Sequence, residues 1–263
     1  MLWAFVFEEQ PDRRLTSEQL AVYTATLARR TPLLRATRDD LSAVPDPRVV
    51  PVGSIEFVRA LAARWGAEEA LLATTLPDYP KALRGFLARE PVLTTWGAAR
   101  VLSGPLFVKP RSTRDRKIFT GHVFAPDERA HGHYPDTLPV WVCAPLPPLL
   151  GEHRVYIRAG HILGLGRYDD ADTSDDDAAP DTAVLADMVA TMGASAPTGY
   201  ALDVGVCNGH TILIEATDAW AIGYYRGTCS AAEYTAMLAA RWNEIMTGVS
   251  STQAIRPAMG VQT

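Results

Sequence analysis

Two carboxylates lie among apolar residues in the segment ALDVGVCNGHTILIEATDAW, which spans positions 201–220. Asp203 and Glu215 belong to two runs of β-forming residues that flank an Asn-Gly pair, and this pattern predicts a β-hairpin. A carboxylate on a buried strand is costly unless a cation or a metal ion compensates its charge. Carboxylate oxygens are ligands that Mg²⁺ prefers in proteins, so the two acids are candidate metal ligands if their side chains share a face.

The length of the hairpin loop decides whether the two acids can act together. A two-residue loop of Asn208 and Gly209 turns the carboxylates to opposite faces of the hairpin. A three-residue loop that begins at Cys207, with Gly209 in the left-handed region, shifts the pairing by one residue. Asp203 and Glu215 then become diagonal neighbours on one face. The metal-binding interpretation therefore predicts the three-residue loop.

Basic residues earlier in the chain suit the binding of phosphate groups. Lys109 lies near the end of the strand candidate GPLFVKP, and Lys117 lies in the basic segment RSTRDRKIFTG. In EHRVYIRAG, strand alternation places Glu152, Arg154 and Arg158 on one face. Lysine and arginine bind phosphates, and carboxylates hold the Mg²⁺ that accompanies a nucleotide. The mixed-charge set therefore predicts a nucleotide site.

Several of these features also have a purely structural alternative. The two acids can form ion pairs with Arg154, Arg158 or Arg226, and such buried pairs often contribute little net stability. His131 and His133 form an H-x-H motif, but no third ligand follows at the spacing of a metal site. We therefore interpret these two histidines as loop residues, while the ion-pair alternative for the acids stays open.

The composition limits the classes of function. The chain has 263 residues, 48% of them hydrophobic, and a net charge of -5, which argues against general nucleic-acid binding. Three cysteines without C-x-x-C spacing are typical of a reduced, cytoplasmic protein. No apolar run approaches the roughly 20 residues of a membrane helix, and MLWAFVFEEQ lacks the features of a signal peptide. Cys207 and His210 lack a third orienting group, so we predict a structural role for them.

Helix and strand patterns indicate how these residues are positioned. Strand and helix candidates alternate up to about residue 95, which predicts a small α/β lobe. Thr16 and Gln19 form a capping box before one helix, and Ser230 and Glu233 form another before the last helix. Hairpins follow in the second half of the chain, including EHRVYIRAGHILGLGRY with an Ala-Gly turn.

The order of these motifs resembles the ATP-grasp superfamily of ligases, in particular the compact RimK-like branch of small bacterial and viral ligases. The resemblance rests on FVKP, then FTG, then E-x-R on a strand, then D-V-G-V and I-E-x-x-D on a hairpin, between residues 50 and 226. It implies the ATP-grasp fold, of class α/β and α+β. A small N-terminal α/β lobe (1–95) is followed by a central lobe (96–145) and a C-terminal lobe with the metal-binding hairpin (146–248), which clasp a nucleotide. The tail at 249–263 has the little pattern that is typical of disorder.

The resemblance also implies roles for individual residues in ATP binding. Lys109 would hold the α- and β-phosphates, and Lys117 would be a second lysine on the phosphate or adenine side. In CAPL, Ala144 and Leu146 would bind adenine through a backbone carbonyl and a backbone N–H. Glu152 would reach the ribose or a neighbouring basic group. Arg154, with Lys109 and Lys117 as the other catalytic candidates, would face the transferred phosphate or the substrate carboxylate.

In the metal site, the resemblance implies Asp203 and Glu215 as Mg²⁺ ligands. The family usually has Asn two residues after this glutamate, where this chain has Thr217. Asp218 or a water molecule would replace the amide oxygen. The phosphate loop is basic instead of glycine-rich, so its arginines would supply charge to the phosphates; they are Arg111, Arg114 and Arg116. Tentative substrate contacts are Arg158, Arg111 and Arg226.

The function implied by the resemblance is that of an ATP-dependent carboxylate–amine ligase. Its cofactors would be ATP and Mg²⁺, and an amide would form through an acyl phosphate. Its partners would be small-molecule or peptide carboxylates and amines, with no nucleic acid and no membrane, and a homodimer stays open. Two alternatives remain: a nucleotide-binding protein without ligase activity, and a small-molecule phosphotransferase on the same fold.

Overall fold

The computed structural model describes residues 4–27, 30–111, 118–168 and 179–254, with side chains up to residue 248. The strands are β1 (Phe5–Glu8), β2 (Leu33–Ala36), β3 (Val50–Val52), β4 (Val92–Thr95), β5 (Leu106–Pro110), β6 (His122–Phe124), β7 (Pro139–Cys143), β8 (Glu152–Arg158), β9 (His161–Arg167), β10 (Gly199–Cys207) and β11 (His210–Asp218). The helices are α1 (Ser17–Leu27), α2 (Ile55–Arg64), α3 (Glu68–Thr74), α4 (Trp96–Arg100), α5 (Pro126–His131), α6 (Thr182–Met192) and α7 (Ala231–Ala254). Among the helices of these residues, none has the length and apolar character needed to cross a membrane.

The described strands form three sheets. The first is parallel, with strand order β2-β1-β3. The second is antiparallel, with order β4-β7-β5-β6, and the third is antiparallel, with order β11-β10-β8-β9. The predicted division of the chain at residues 95, 145 and 248 stays a prediction; β4, just before the first of these positions, pairs with β7 in the second sheet.

The N-terminal sheet follows from local signals that the sequence carries. The capping box before α1 is confirmed, since the Thr16 hydroxyl accepts from the Gln19 backbone N–H at 3.3 Å and the Gln19 side chain accepts from the Thr16 N–H at 3.3 Å. Helix α2 starts at Ser54, whose hydroxyl accepts from the Phe57 N–H at 3.2 Å. The side-chain amide of Gln19 also donates to the carbonyl of Glu8 at 2.8 Å. These contacts hold α1 and α2 at the carboxyl ends of the parallel strands.

The third sheet is covered on both faces, which sets the direction of its polar side chains. Val155 and Ile157 of β8 pack in one apolar cluster with α6. Tyr156, on the alternate face, packs in a second cluster with α7 and the N-terminal sheet. The hairpin of β8 and β9 turns at Ala159 and Gly160, both with positive φ, as the sequence predicts. Arg154 therefore lies on the face of Tyr156, opposite to α6.

The turn between β10 and β11 differs from its prediction. Cys207 pairs with His210, so the loop has two residues, Asn208 with φ 51° and Gly209 with φ 77°. These left-handed angles match the turn type that suits the twist of a tight hairpin. The predicted three-residue loop is therefore wrong.

A β-bulge nevertheless brings the two acids to one face. Val204 pairs with Leu213, but the next residue, Asp203, pairs with Glu215, so that Ile214 is the extra residue on β11. Directly paired residues of an antiparallel pair project to the same side of the sheet. The bulge in the strand thus makes the one-residue shift that the sequence analysis had assigned to the loop.

The left-handed turn can be tested by adding a single methyl group. Gly209→Ala is expected to lower the free energy of unfolding by about 1 kcal/mol, because a Cβ at positive φ meets the backbone. Gly85→Ala is the matched control, since a Cβ has open space at both positions and only Gly209 has positive φ. Urea denaturation measures both variants. Equal stability of the two would contradict the assigned turn.

Candidate active site

A cavity of about 530 Å³ is lined by residues of the second and third sheets. Phe107 and Lys109 of β5 line it from the second sheet, while Val108 between them packs in the core of that sheet. Ile214 and Glu215, at the bulge of β11, line it from the third sheet. Alternation on β5 and the bulge on β11 therefore aim an ammonium and a carboxylate into the same space.

Lys109 is 7% exposed and lies close to two acids. Its Nζ donates to Oε2 of Glu215 and lies 3.5 Å from Oδ1 of Asp78. Burial lowers the pKa of Lys109, but Glu215 and Asp78 raise it by more, so the pKa lies above its ordinary value. Lys109 therefore remains a cation that is ready to meet phosphate oxygens.

Asp78 belongs to the site although the sequence analysis did not single it out. Its Oδ2 accepts from the indole N–H of Trp141 at 2.7 Å, and its backbone carbonyl accepts from the Ala216 N–H at 2.8 Å. Asp78 lies in the segment PDYP, which reads only as a turn before a helix. An acid between two prolines was the signal available, and nothing local connects it to Lys109.

Arg154 and Asp203 form a bidentate ion pair next to Glu215. The Nε and Nη2 atoms of Arg154 donate to the two carboxylate oxygens of Asp203, each at 2.7 Å. Asp203 pairs with Arg154 on β8 and with Glu215 on β11, so the three side chains form one row across three strands. Burial raises the pKa of Asp203, and the adjacent guanidinium opposes that rise. The ion-pair alternative for Asp203 therefore holds with Arg154 as its partner.

Two tyrosines fix the guanidinium of Arg154. The rings of Tyr168 and Tyr225 stack with centroids 5.1 Å apart, and the Arg154 Cζ lies 4.9 Å from the Tyr225 centroid. The Tyr168 hydroxyl donates to Oε2 of Glu152 at 2.9 Å. Burial raises the pKa of Tyr168 above its ordinary value, so the hydroxyl keeps the proton that it donates. These contacts hold Arg154 and Glu152 in one orientation beside the cavity.

Other predicted residues lie at varied distances from this centre. Leu146 lines the cavity, whereas Ala144 is exposed. The tentative substrate contacts are described residues outside the cavity lining; they are Arg111, Arg158 and Arg226. Lys117, Arg114 and Arg116 lie outside the described residues. Arg89, not singled out from the sequence, lines the cavity with its guanidinium 4.2 Å from the ring centroid of Phe107.

The structure corrects the prediction that Asp218 is a metal ligand. Its carboxylate accepts two hydrogen bonds of 2.8 Å from the guanidinium of Arg241 and one of 2.9 Å from the Leu76 N–H. Strand alternation turns Asp218 to the face opposite Glu215 and leaves Thr217 on the face of Glu215. Asp218 therefore joins α7 to the segment after α3.

The carboxylates of the site fit a metal ion that arrives with phosphates. Within the described ranges, no group of three or more His, Cys, Asp or Glu residues could hold a metal ion. Mg²⁺ is usually bound through one or two carboxylates, with phosphates and water as its other ligands. The paired positions of Asp203 and Glu215 meet that requirement, with Glu215 the more exposed of the two.

Comparison with known protein families decides the family. A family model described as an ATP-grasp domain, the second family of its clade, matches residues 86–237, more than half of the chain. The chain belongs to this ATP-grasp family. No curated protein matches the sequence.

Solved structures of ATP-grasp proteins share the fold at low sequence identity. A RimK-domain ATP-grasp protein from Sphaerobacter thermophilus matches with a TM-score of 0.54 and 16% identity, over 91% of this chain and 97% of that one. D-alanine–D-alanine ligase from Bacillus anthracis matches with a TM-score of 0.57 and 12% identity, over 95% and 100%. D-cycloserine synthetase DcsG matches with a TM-score of 0.53 and 13% identity, over 91% and 99%. The predicted ATP-grasp fold and the resemblance to RimK-like proteins are confirmed.

Substitutions at two adjacent positions separate the roles of Asp218 and Thr217. Asp218→Asn is expected to lower the free energy of unfolding by about 3 kcal/mol, because it leaves the buried Arg241 without its charged partner. Thr217→Ala is expected to stay within about 0.5 kcal/mol of the wild type. Thermal and urea unfolding measure both. A stable Asp218→Asn variant would contradict the structural role of Asp218.

Proposed function

We propose that this ATP-grasp protein is a carboxylate–amine ligase that uses ATP and forms an amide through an acyl phosphate. The observation that carries the proposal is the row of Arg154, Asp203 and Glu215, which Lys109 meets from the second sheet beside the cavity. Cations flank two adjacent carboxylates there. This arrangement suits a triphosphate with its metal ion, because each charged group of that complex has a counter-charge to meet.

The cavity offers a place for each part of the nucleotide. Lys109 would bind phosphate oxygens, and the backbone at Ala144 and Leu146 would contact adenine. Phe107 and Ile214 present apolar surface in the lining, where a base can be buried. Lys117 stays proposed as a second lysine toward the nucleotide. In support, the Bacillus anthracis ligase with this fold was crystallised with ATP, and the ATP-grasp ligase PsnB with its minimal precursor, Mg and ADP.

Glu215 and Asp203 are the residues that would hold Mg²⁺. When bound, Mg²⁺ would offset the charge of the phosphate oxygens. Asp203 is held by both guanidinium donors of Arg154, whereas Glu215 is partly exposed to the cavity. We infer that Glu215 is the principal ligand and that Asp203 sets the charge and position of Arg154 as well as facing the metal.

The reaction would have two steps. In the first, an oxygen of the substrate carboxylate attacks the γ-phosphorus of ATP, and ADP leaves. Arg154 and Lys109 would offset the negative charge that spreads over the transferred group. In the second, the amine nitrogen attacks the carbonyl carbon of the acyl phosphate, phosphate leaves, and the amine gives up a proton. No protein nucleophile is required, and the substrates would be small molecules or peptides.

Two substitutions test the charged centre. Lys109→Met and Glu215→Gln are each expected to lower turnover by at least about 100-fold, because each removes a charge that faces the transferred phosphate. Lys81→Met, at an exposed lysine outside the cavity lining, is the matched control and is expected to retain activity. The measurement is ADP formation in the presence of ATP, Mg²⁺ and candidate carboxylates and amines. Wild-type turnover in Lys109→Met or Glu215→Gln would refute the assignment.

A second candidate function is nucleotide binding without ligation. Thr217 on the face of Glu215, together with the engagement of Asp218 by Arg241, favours it, because neither supplies the amide oxygen usual in the family. ADP formation that requires both a carboxylate and an amine distinguishes ligation from binding alone. The mass of the product then separates ligation, which joins two substrates with loss of water, from phosphotransfer, which adds a phosphate.

Location, assembly and lobe boundaries remain part of the proposal. The sparse cysteines support a cytoplasmic location, where ATP is available. Light scattering during gel filtration tests for the homodimer. Limited proteolysis near residues 95, 145 and 248 tests the proposed division into lobes.

A further inference from the structure

We propose that Asp78 is a positioning residue that keeps Lys109 aimed into the cavity when a metal–nucleotide complex takes Glu215 away from it. The inference rests on the proposed function, since it concerns how Lys109 meets the nucleotide. Asp78 lies before the third sheet in the sequence, in the turn that precedes the 3-10 helix at 81–86. It is 2% exposed, so it is the innermost acid beside Lys109.

Asp78 is anchored to both sheets that line the cavity. Its carboxylate accepts from the indole of Trp141 at 2.7 Å, and Trp141 is the strand partner of Lys109 in the second sheet. Its backbone carbonyl accepts from the Ala216 N–H at 2.8 Å, one residue from Glu215 in the third sheet. Neither contact involves the cavity. The position of the carboxylate is therefore fixed by the fold and does not depend on a nucleotide.

The two acids beside Lys109 differ in their access to the cavity. The side chain of Glu215 is 29% exposed, while that of Asp78 is 3% exposed, and only Glu215 is among the residues that line the cavity. A metal ion that enters with phosphates therefore reaches Glu215 and not Asp78. When Glu215 turns to the metal, Lys109 loses its contact with that carboxylate and keeps Asp78 at its other side.

A buried ammonium requires a counter-charge throughout this exchange. An unpaired charge in a protein interior costs several kcal/mol, and Lys109 is nearly buried. Asp78 supplies the constant counter-charge, so that Lys109 can turn from Glu215 to phosphate oxygens. Without Asp78, Lys109 would pair with Glu215 alone, and Mg²⁺ would have to compete for that carboxylate more strongly.

The test measures ADP binding by calorimetry, with EDTA and across a Mg²⁺ titration. In Asp78→Asn, the Mg²⁺ concentration for half-maximal ADP binding is expected to rise about tenfold, as for the loss of a hydrogen bond to a charged group. In Glu215→Gln, the Mg²⁺ dependence should disappear, while ADP binding in EDTA should be at least as strong as in the wild type. These opposite responses follow only if the two acids share Lys109.

A structural role for Asp78 gives a different pattern. It would lower the melting temperature and weaken ADP binding equally with and without Mg²⁺, which would overturn the inference. Trp141→Phe removes the indole donor and leaves the charge, and it is expected to shift the Mg²⁺ midpoint in the same direction by a smaller factor. This variant carries the test if Asp78→Asn does not fold, and an unshifted midpoint in it would then overturn the inference.

The wild type separates this inference from the proposed function. If the wild type binds ADP with a clear dependence on Mg²⁺ and Asp78→Asn shows the same midpoint, the positioning role is wrong and the nucleotide site stands. If the wild type binds no ADP at any Mg²⁺ concentration, the nucleotide site fails, and the inference fails with it.

Discussion

The contact between Lys109 and Glu215 connects the second sheet to the third, and the candidate site is arranged around it. Each residue is costly to bury alone, so each is placed beside opposite charge: Lys109 beside Asp78, and Glu215 beside the pair of Asp203 and Arg154. The fold thus compensates the charges of the site before any substrate arrives. A nucleotide with its metal ion would replace these contacts with similar ones, so that binding need not expose an uncompensated charge.

The geometry of that contact depends on one extra residue in β11. With a two-residue turn and regular pairing, Glu215 would project away from Asp203. The bulge at Ile214 restores the common face, and Ile214 itself joins Glu215 in the lining of the cavity. Bulges are frequent next to active sites because they re-aim a side chain without changing the sheet. Here the bulge provides both a ligand position and apolar surface.

Local features of the structure could be predicted, and features that depend on distant partners could not. The capping box of Thr16 and Gln19 and the positive-φ turn at Gly160 are set by a few adjacent residues, and both agree with the sequence pattern. The bulge depends on cross-strand pairing, and Asp78 meets Lys109 only through the packed fold. The error at Asp218 has another cause, because strand alternation alone already places it on the face opposite Glu215.

Thr217 bears on how much of the site the nucleotide must supply. The resembled family usually has Asn at this position, and an amide oxygen is a better Mg²⁺ ligand than a hydroxyl. Thr217 keeps the right face of β11, two residues beyond Glu215, so the position is preserved while the ligand is weakened. Mg²⁺ gives up water reluctantly and keeps several waters in nucleotide sites, so that a water held at Thr217 can take the place of the amide. The metal would then depend chiefly on Glu215 and the phosphates, which makes control of Glu215 by Lys109 and Asp78 the decisive property of this site.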